Sequence, residues 1–217
     1  MNEFILYNYF RSSASYRVRI ALNLKGIQYE YRAVHLTQNG GEQKSTEYTQ
    51  LNPSAQVPTL VHRGRALGQS MAIIQYLDEI IAEPAFFPKD PFEKARVIQA
   101  CEIINSGIQP LHNLETLQEL KSRAHFDHEQ NTDWTAHFIR KGLRALENFL
   151  VTTAGNYCFG HELSAADIFL APQAFAAARN GVALDEFPVI ARVVKNYDAV
   201  SAFKAASPDA QPDTPKA

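Results

Sequence analysis

The chain has 217 residues, 46% of them hydrophobic and 20% charged, with a formal net charge of -2, which suits one large or two small globular cores. A near-neutral charge with no dense Lys/Arg run argues against a nucleic-acid-binding surface. No basic N-terminal region and no apolar run of ~20 residues point to a soluble, cytoplasmic chain that neither crosses nor binds a membrane.

In chain order, Phe4-Ile-Leu-Tyr7 is apolar enough for a buried strand, and Val18, Ala21, Leu22 and Leu24 lie on one face of a helix that Gly26 can end. Ser12, Ser13 and Ser15 sit at or near the start of that helix. Two readings stand there: the serines cap the helix and nothing more, or the free amides and the positive end of the helix dipole also hold a thiolate or carboxylate. Tyr29, Tyr31 and Ala33 alternate as a strand, completing a βαβ opening. After the polar Asn39-Gly-Gly-Glu-Gln43, Pro58 stands immediately before the strand-like Thr59-Leu-Val61, where proline tolerates only a strand start or edge. The turn His62-Arg-Gly-Arg65 leads to a short strand at Ala66-Leu67. Gln69-Ser70 then precede a helix whose Ile74, Leu77 and Ile81 repeat at i, i+3, i+7. The order β-α-β-α-β-β-α places two serine-bearing helix starts in one small domain.

Glu83 to Asp90, with Pro84, Pro88 and Pro91 just beyond, reads as a linker. Everything after it reads as helical: Ala95, Ile98, Ile103 and Leu111 keep helical spacing, as do Leu143, Leu146 and Leu150 within Phe138 to Leu150. Ser164-Ala-Ala-Asp167 fits a capping box with Asp in place of Glu, a structural helix start. Three prolines between Ser207 and Ala217 predict an irregular, partly mobile tail. Cys101 and Cys158 belong to no Cys-x-x-Cys or Cys/His pattern and read as buried fillers, with neither a disulfide framework nor a metal site. His125 and His128 read as an exposed turn.

Four stretches carry a resemblance that spans essentially the whole chain: Arg11-Ser-Ser-Ala-Ser-Tyr-Arg-Val-Arg-Ile-Ala-Leu22, Asn52-Pro-Ser-Ala-Gln-Val-Pro-Thr59, Gln69-Ser-Met-Ala-Ile-Ile-Gln-Tyr-Leu77 and Gly107-Ile-Gln-Pro-Leu111. With them, the chain resembles the glutathione transferase superfamily, specifically the zeta class that includes maleylacetoacetate isomerases. Tyr157-Cys-Phe-Gly160, Ala166-Asp167, Pro172-Gln173 and Gln211-Pro-Asp-Thr-Pro215 also look zeta-like.

The resemblance implies an α/β thioredoxin-like glutathione-binding domain with a mixed sheet, residues 1 to about 82. It also implies an all-α domain, residues 90 to 217, that completes the substrate site, and a homodimer. Glutathione is the implied cofactor. By position in the motifs, Ser12 would bond its sulfur with Ser13 beside it, in a run that continues through Ala14, Ser15, Tyr16 and Arg17. Val57 would pair its backbone with the cysteinyl part, set up by a cis bond at Pro58. Gln69 and Ser70 would hold the γ-glutamyl end and Gln43 the glycyl end, while Gln109 and Asn113 would reach in from the helical domain. Arg11 and Arg179 are the implied substrate-carboxylate ligands; Arg17 and Arg19 read more simply as structural ion pairs or solvated charges.

The implied activity is conversion of maleylacetoacetate to fumarylacetoacetate in tyrosine and phenylalanine catabolism, by thiolate addition, rotation and elimination. Glutathione-dependent maleylpyruvate isomerisation and general glutathione transfer are the enzymatic rivals; a noncatalytic interaction module is the rival from another class. One departure stands out: Ala14 and Tyr16 occupy positions where zeta-class chains commonly carry Cys and Trp. Without that thiol, chemistry through a protein mixed disulfide is in doubt, whereas the serine needed to activate glutathione is retained.

Overall fold

The computed structural model describes residues 3–215. Its internal contacts divide the chain into two units: one runs to Ala85 and takes in the chain again from Val200, and the other is Phe86–Ala199.

The first unit contains β1 (Phe4–Asn8), α1 (Ser13–Leu24), β2 (Tyr29–Ala33), α2 (Thr46–Leu51), β3 (Thr59–His62), β4 (Arg65–Gly68) and α3 (Ser70–Ile80). Its four strands form a mixed sheet in the order β2-β1-β3-β4. The central strand β1 runs parallel to β2, with Leu6 opposite Tyr31, and antiparallel to β3, with Leu6 opposite Leu60. Leu6 and Leu60 are buried, together with Val18, Ile20, Ala21 and Leu22 of α1 and Ile73, Ile74 and Leu77 of α3. This is the thioredoxin-like arrangement that the resemblance implied. Gly26, at φ +66°, lets the Ile27 amide turn back to the Leu22 carbonyl and close α1. Beside it the Lys25 ammonium donates to Asp78 at 2.7 Å and to the carbonyls of Ile81 and Pro84, each at 2.6 Å, fastening the end of α1 to the end of α3.

The second unit is helical: α4 (Pro91–Asn105), α5 (Leu114–Arg123), α6 (His128–Leu150), α7 (Ala165–Arg179) and α8 (Pro188–Asn196). Its core is built at helical spacing from Val97, Cys101 and Ile104 of α4, Ile139, Leu143, Leu146 and Leu150 of α6, and nearly every residue of the first half of α7. The predicted linker opens this core: Phe86 and Phe87 are buried, and the Phe86 carbonyl accepts the Ala165 amide at the start of α7. Helix α6 begins well before the predicted Phe138, because Asp127 and Gln130 form a reciprocal capping box that leucine spacing does not reveal. Cys101 and Cys158 are buried outside any disulfide, and burial pushes the Cys158 thiol up, so it stays protonated. Among the described residues, no helix is long and apolar enough to cross a membrane.

The C-terminal segment differs from the expectation. Rather than staying with the helical domain, the chain from Val200 joins the first unit: α9 (Ser201–Ala206) packs on α1, and the stretch expected to be irregular, from Ser207, carries a 3-10 turn at Pro208–Ala210. Three donors of α1 decide this. The Tyr16 hydroxyl, the Asn23 amide and the Arg19 Nε donate to the carbonyls of Phe203, Ala202 and Ala206 at 3.2, 3.1 and 2.9 Å. Carbonyls at the end of a short helix have no partner inside it and need such donors. Residues 216 and 217 of the predicted tail lie outside the described residues.

Candidate active site

At the start of α1, Ser12 is the N-cap, in extended conformation, and its Oγ accepts the Ser15 amide at 3.2 Å. That bond uses a lone pair, so the hydroxyl proton remains to be donated elsewhere. The amides of Ser13 and Ala14 belong to the first helical turn, where no acceptor exists inside the helix. Ser12, Ser13 and Ala14 are half-buried and Arg11 is exposed, so this corner is open to a ligand.

Ser15 and Tyr16, which the motif grouped with the ligand-binding run, have partners within the first unit. Both are buried; Ser15 Oγ accepts the Tyr9 amide at 3.4 Å, and the Tyr16 hydroxyl goes to Phe203. Arg17 and Arg19 are not solvated charges: their exposures are 1% and 0%. Arg19 donates only to neutral oxygens among its hydrogen-bond partners here: Asn8 Oδ1 and the carbonyls of Tyr9, Phe10 and Ala206. Burial accordingly lowers its pKa from the usual arginine value.

Arg17 joins the two serine-bearing helix starts, donating from Nη1 to Ser70 Oγ at 3.2 Å. Ser70 is buried at the first position of α3, and Gln69 just before it is exposed with φ +66°. That left-handed conformation is costly for a residue with a Cβ. Acid placement separates these two helices, and the six-residue α9, from the others. α2, α4, α5, α6 and α7 each carry an acid in the first turn, and α8 receives the Glu147 carboxylate on the amides of Val189 and Ile190, both at 2.9 Å. α1 and α3 carry none, which leaves the positive ends of their dipoles for an anion from outside.

The Val57–Pro58 bond is cis, directly before β3. A polar network sets the loop that carries it: the Tyr48 hydroxyl donates to the Gln56 carbonyl at 2.7 Å, and the Asn52 amide donates to that carbonyl at 2.9 Å and to Thr59 Oγ1 at 3.0 Å. Asn52 and Thr59 bound one of the stretches that carry the resemblance, but Tyr48 was not singled out from sequence, because only the fold brings it to them. Gln43 is buried, with Nε2 donating to the Leu36 carbonyl at 3.4 Å and Oε1 lacking a hydrogen-bond partner among the described residues. It fits because its neighbour is glycine: a Cβ on Gly41 would lie 2.7 Å from Gln43 Nε2.

In the second unit, Gln109 opens a 3-10 turn ending at Leu111, and Asn113 caps α5, its Oδ1 accepting the Thr116 amide at 2.8 Å. That bond leaves the Asn113 NH2 group as its free polar function. Arg179 is the last residue of α7 and is exposed.

Comparison with known proteins gives a consistent picture. Residues 2–79 match the model for "Glutathione S-transferase, N-terminal domain". The chain is 46% identical to the maleylacetoacetate isomerase of Rattus norvegicus over 97% of this chain and 95% of that one, and 45% identical to that of Pseudomonas aeruginosa over 98% and 99%. Among solved structures, a bacterial zeta-class maleyl pyruvate isomerase superposes with a TM-score of 0.93 at 38% identity, covering 97% of this chain and 100% of that one. A maleylacetoacetate isomerase from Anaeromyxobacter dehalogenans 2CP-1, with GSH bound in its active site, superposes with a TM-score of 0.87 at 39% identity, covering 99% and 100%.

Proposed function

Because the chain belongs to the glutathione S-transferase family, and within it to the zeta class, we propose that it is a glutathione-dependent cis-trans isomerase. The proposed substrate is maleylacetoacetate, turned to fumarylacetoacetate in tyrosine and phenylalanine breakdown, by a cytoplasmic homodimer. One observation carries the reading: α1 and α3, neither of which has an acid in its first turn, are the two helix starts that Arg17 and Ser70 tie together.

Glutathione, an anionic tripeptide, fits these residues. Its carboxylates suit helix starts with open amides, and the buried, unpartnered Gln43 Oε1 suits an N–H donor. Gln69 and Ser70 are assigned the γ-glutamyl end, Gln43 the glycyl end, Val57 the cysteinyl backbone, and Gln109 and Asn113 further polar contacts. When bound, glutathione supplies a thiolate that adds reversibly to the conjugated double bond, leaving a single bond about which the substrate turns before the thiolate departs. A thiol with an ordinary pKa of ~8.5 is mostly protonated at neutral pH. The Ser12 hydroxyl and the first amides of α1 counter this by donating to the anion and favouring it over the thiol. Arg11 and Arg179 are assigned the substrate carboxylates and the negative charge that develops at the keto end.

A second reading, isomerisation of maleylpyruvate, is favoured by the likeness to the maleyl pyruvate isomerase structure. Incubating the protein with maleylacetone, an analogue of maleylacetoacetate, and with maleylpyruvate tests both, following trans-isomer formation with and without glutathione. Glutathione-dependent turnover is expected, with kcat/KM choosing the substrate; no turnover of either overturns the isomerase reading.

A further inference from the structure

The Gln211-Pro-Asp-Thr-Pro215 segment has no part in the site described so far, yet one of its side chains reaches the turn that carries Ser12. The Phe10 amide donates to Asp213 Oδ2 at 3.0 Å, across 203 positions of sequence. From the other side, Arg19 Nη2 donates to the Phe10 carbonyl at 2.9 Å and Nη1 to the Tyr9 carbonyl at 3.3 Å. The Tyr9 carbonyl also accepts the Ser12 amide at 3.1 Å, so whatever holds Tyr9 and Phe10 holds Ser12. Asp213 is itself held. Its second carboxylate oxygen accepts the Tyr31 hydroxyl, and Gln211 Nε2 seats the segment by donating to the carbonyls of Ala205 and Ser207 at 2.9 and 2.7 Å. Burial, and then the bond to Asp213, push the Tyr31 phenol up, so it remains a donor.

Residue 10 is therefore gripped by a cation on its carbonyl and an anion on its amide, both through charge-assisted bonds. These bonds lie entirely within the first unit. A hydroxyl and two amides stabilise a developing or bound anion only to the extent that their directions are set before it arrives, and a short turn without such anchors samples several.

We propose that Asp213 is a positioning residue for the thiolate site: with Tyr31 it fixes the Tyr9–Ser12 turn and so aims the Ser12 hydroxyl and the first amides of α1. The C-terminal segment is thereby a strut of the site. This inference rests on the glutathione reading above.

The test compares wild type with Asp213→Ala, Tyr31→Phe and Thr214→Val, whose hydroxyl bonds the Pro208 carbonyl elsewhere in the same segment. Three quantities are read: the pKa of the bound glutathione thiol, from thiolate absorbance; amide exchange at Phe10 and Ser12 in the ligand-free protein; and kcat and KM with maleylacetone. Asp213→Ala is expected to raise the bound-thiol pKa by about one unit, a tenfold shift. It should speed exchange at Phe10 and lower kcat by about tenfold with little change in KM. Tyr31→Phe shifts the same quantities in the same direction by less, and Thr214→Val leaves them unchanged. A lowered melting temperature with an unchanged thiol pKa in Asp213→Ala makes the segment a stabilising feature only and overturns the proposal. Should Asp213→Ala not fold, Tyr31→Phe decides alone, an unchanged thiol pKa and exchange overturning it. If wild type itself does not lower the thiol pKa, the glutathione reading falls, while exchange at Phe10 still decides whether the clamp exists.

Discussion

The starts of α1 and α7 use the same local grammar and reach opposite ends. Both begin with an N-cap serine, Ser12 and Ser164. At α7 the third helical residue is Asp167, whose carboxylate accepts the Ser164 amide and hydroxyl on one oxygen, at 2.9 and 2.8 Å, and the Cys158 amide and Tyr197 hydroxyl on the other, both at 2.9 Å. That carboxylate is fully buried and satisfies the helix end from within. At α1 the third helical residue is Ser15, an uncharged residue facing the sheet, and the corner of Ser12, Ser13 and Ala14 stays half-open. A helix start closed by its own acid is architecture; one left without an acid, beside an arginine-linked second start, is where the proposed function puts the anion.

Four substitutions break or sharpen that contrast, from the largest expected effect to the smallest. Ser12→Ala removes the proposed donor to sulfur and should lower kcat by about a hundredfold or more, while the lost cap costs only ~1 kcal/mol of stability. Steady-state kinetics beside a denaturant titration separates the two, and unchanged kinetics would take Ser12 out of the mechanism. Asp167→Ala should do the reverse. Four donors lose their acceptor, so about 3 kcal/mol of stability is lost, seen as a melting-temperature fall of roughly 6–12 °C for a chain of this size. The folded fraction should keep its kcat. Ala14→Asp would give α1 the internal acid it lacks. It should stabilise the helix by ~0.5 kcal/mol and weaken glutathione binding about threefold to tenfold, measurable by calorimetry; tighter binding would contradict the anion reading.

The smallest effect concerns the closed flank of α1. Burial pushes the Tyr16 phenol up to about 12 from its ordinary 10. Its neutral form is thus favoured by folding, so the stability it contributes is fully present below pH 10 and lost as pH rises through about 12. A tyrosinate titration of wild type minus Tyr16→Phe should show the missing phenol ionising near pH 12 rather than near 10.

Much of this was legible in the order of residues because the signals are local. Alternation at Tyr29, Tyr31 and Ala33 placed β2; the serines before Val18 placed the start of α1; Gln69-Ser70 placed α3; and Ser164 with Asp167 placed α7. Each rests on a period or a cap that spans only a few positions. The same locality explains what the motif did not reveal. The residues Ser15, Tyr16, Arg17 and Arg19 share a motif with Ser12, but a helix turns them inward, where their partners are Tyr9, Phe203, Ser70 and the carbonyls around Phe10.

The sequence by itself determined the element order, the two serine-bearing helix starts and the residue types suited to an anionic thiol ligand, since composition and short spacings set all three. Only the tertiary structure decided that Arg17 links α1 to α3, that Tyr48 and Asn52 hold the loop at Val57, and that the last described stretch returns to the first unit to place Asp213 on Phe10. The reason is physical. A hydrogen bond between residues 203 positions apart leaves no period in the sequence, and the buried polar groups that find each other this way are visible only once the chain has closed around them.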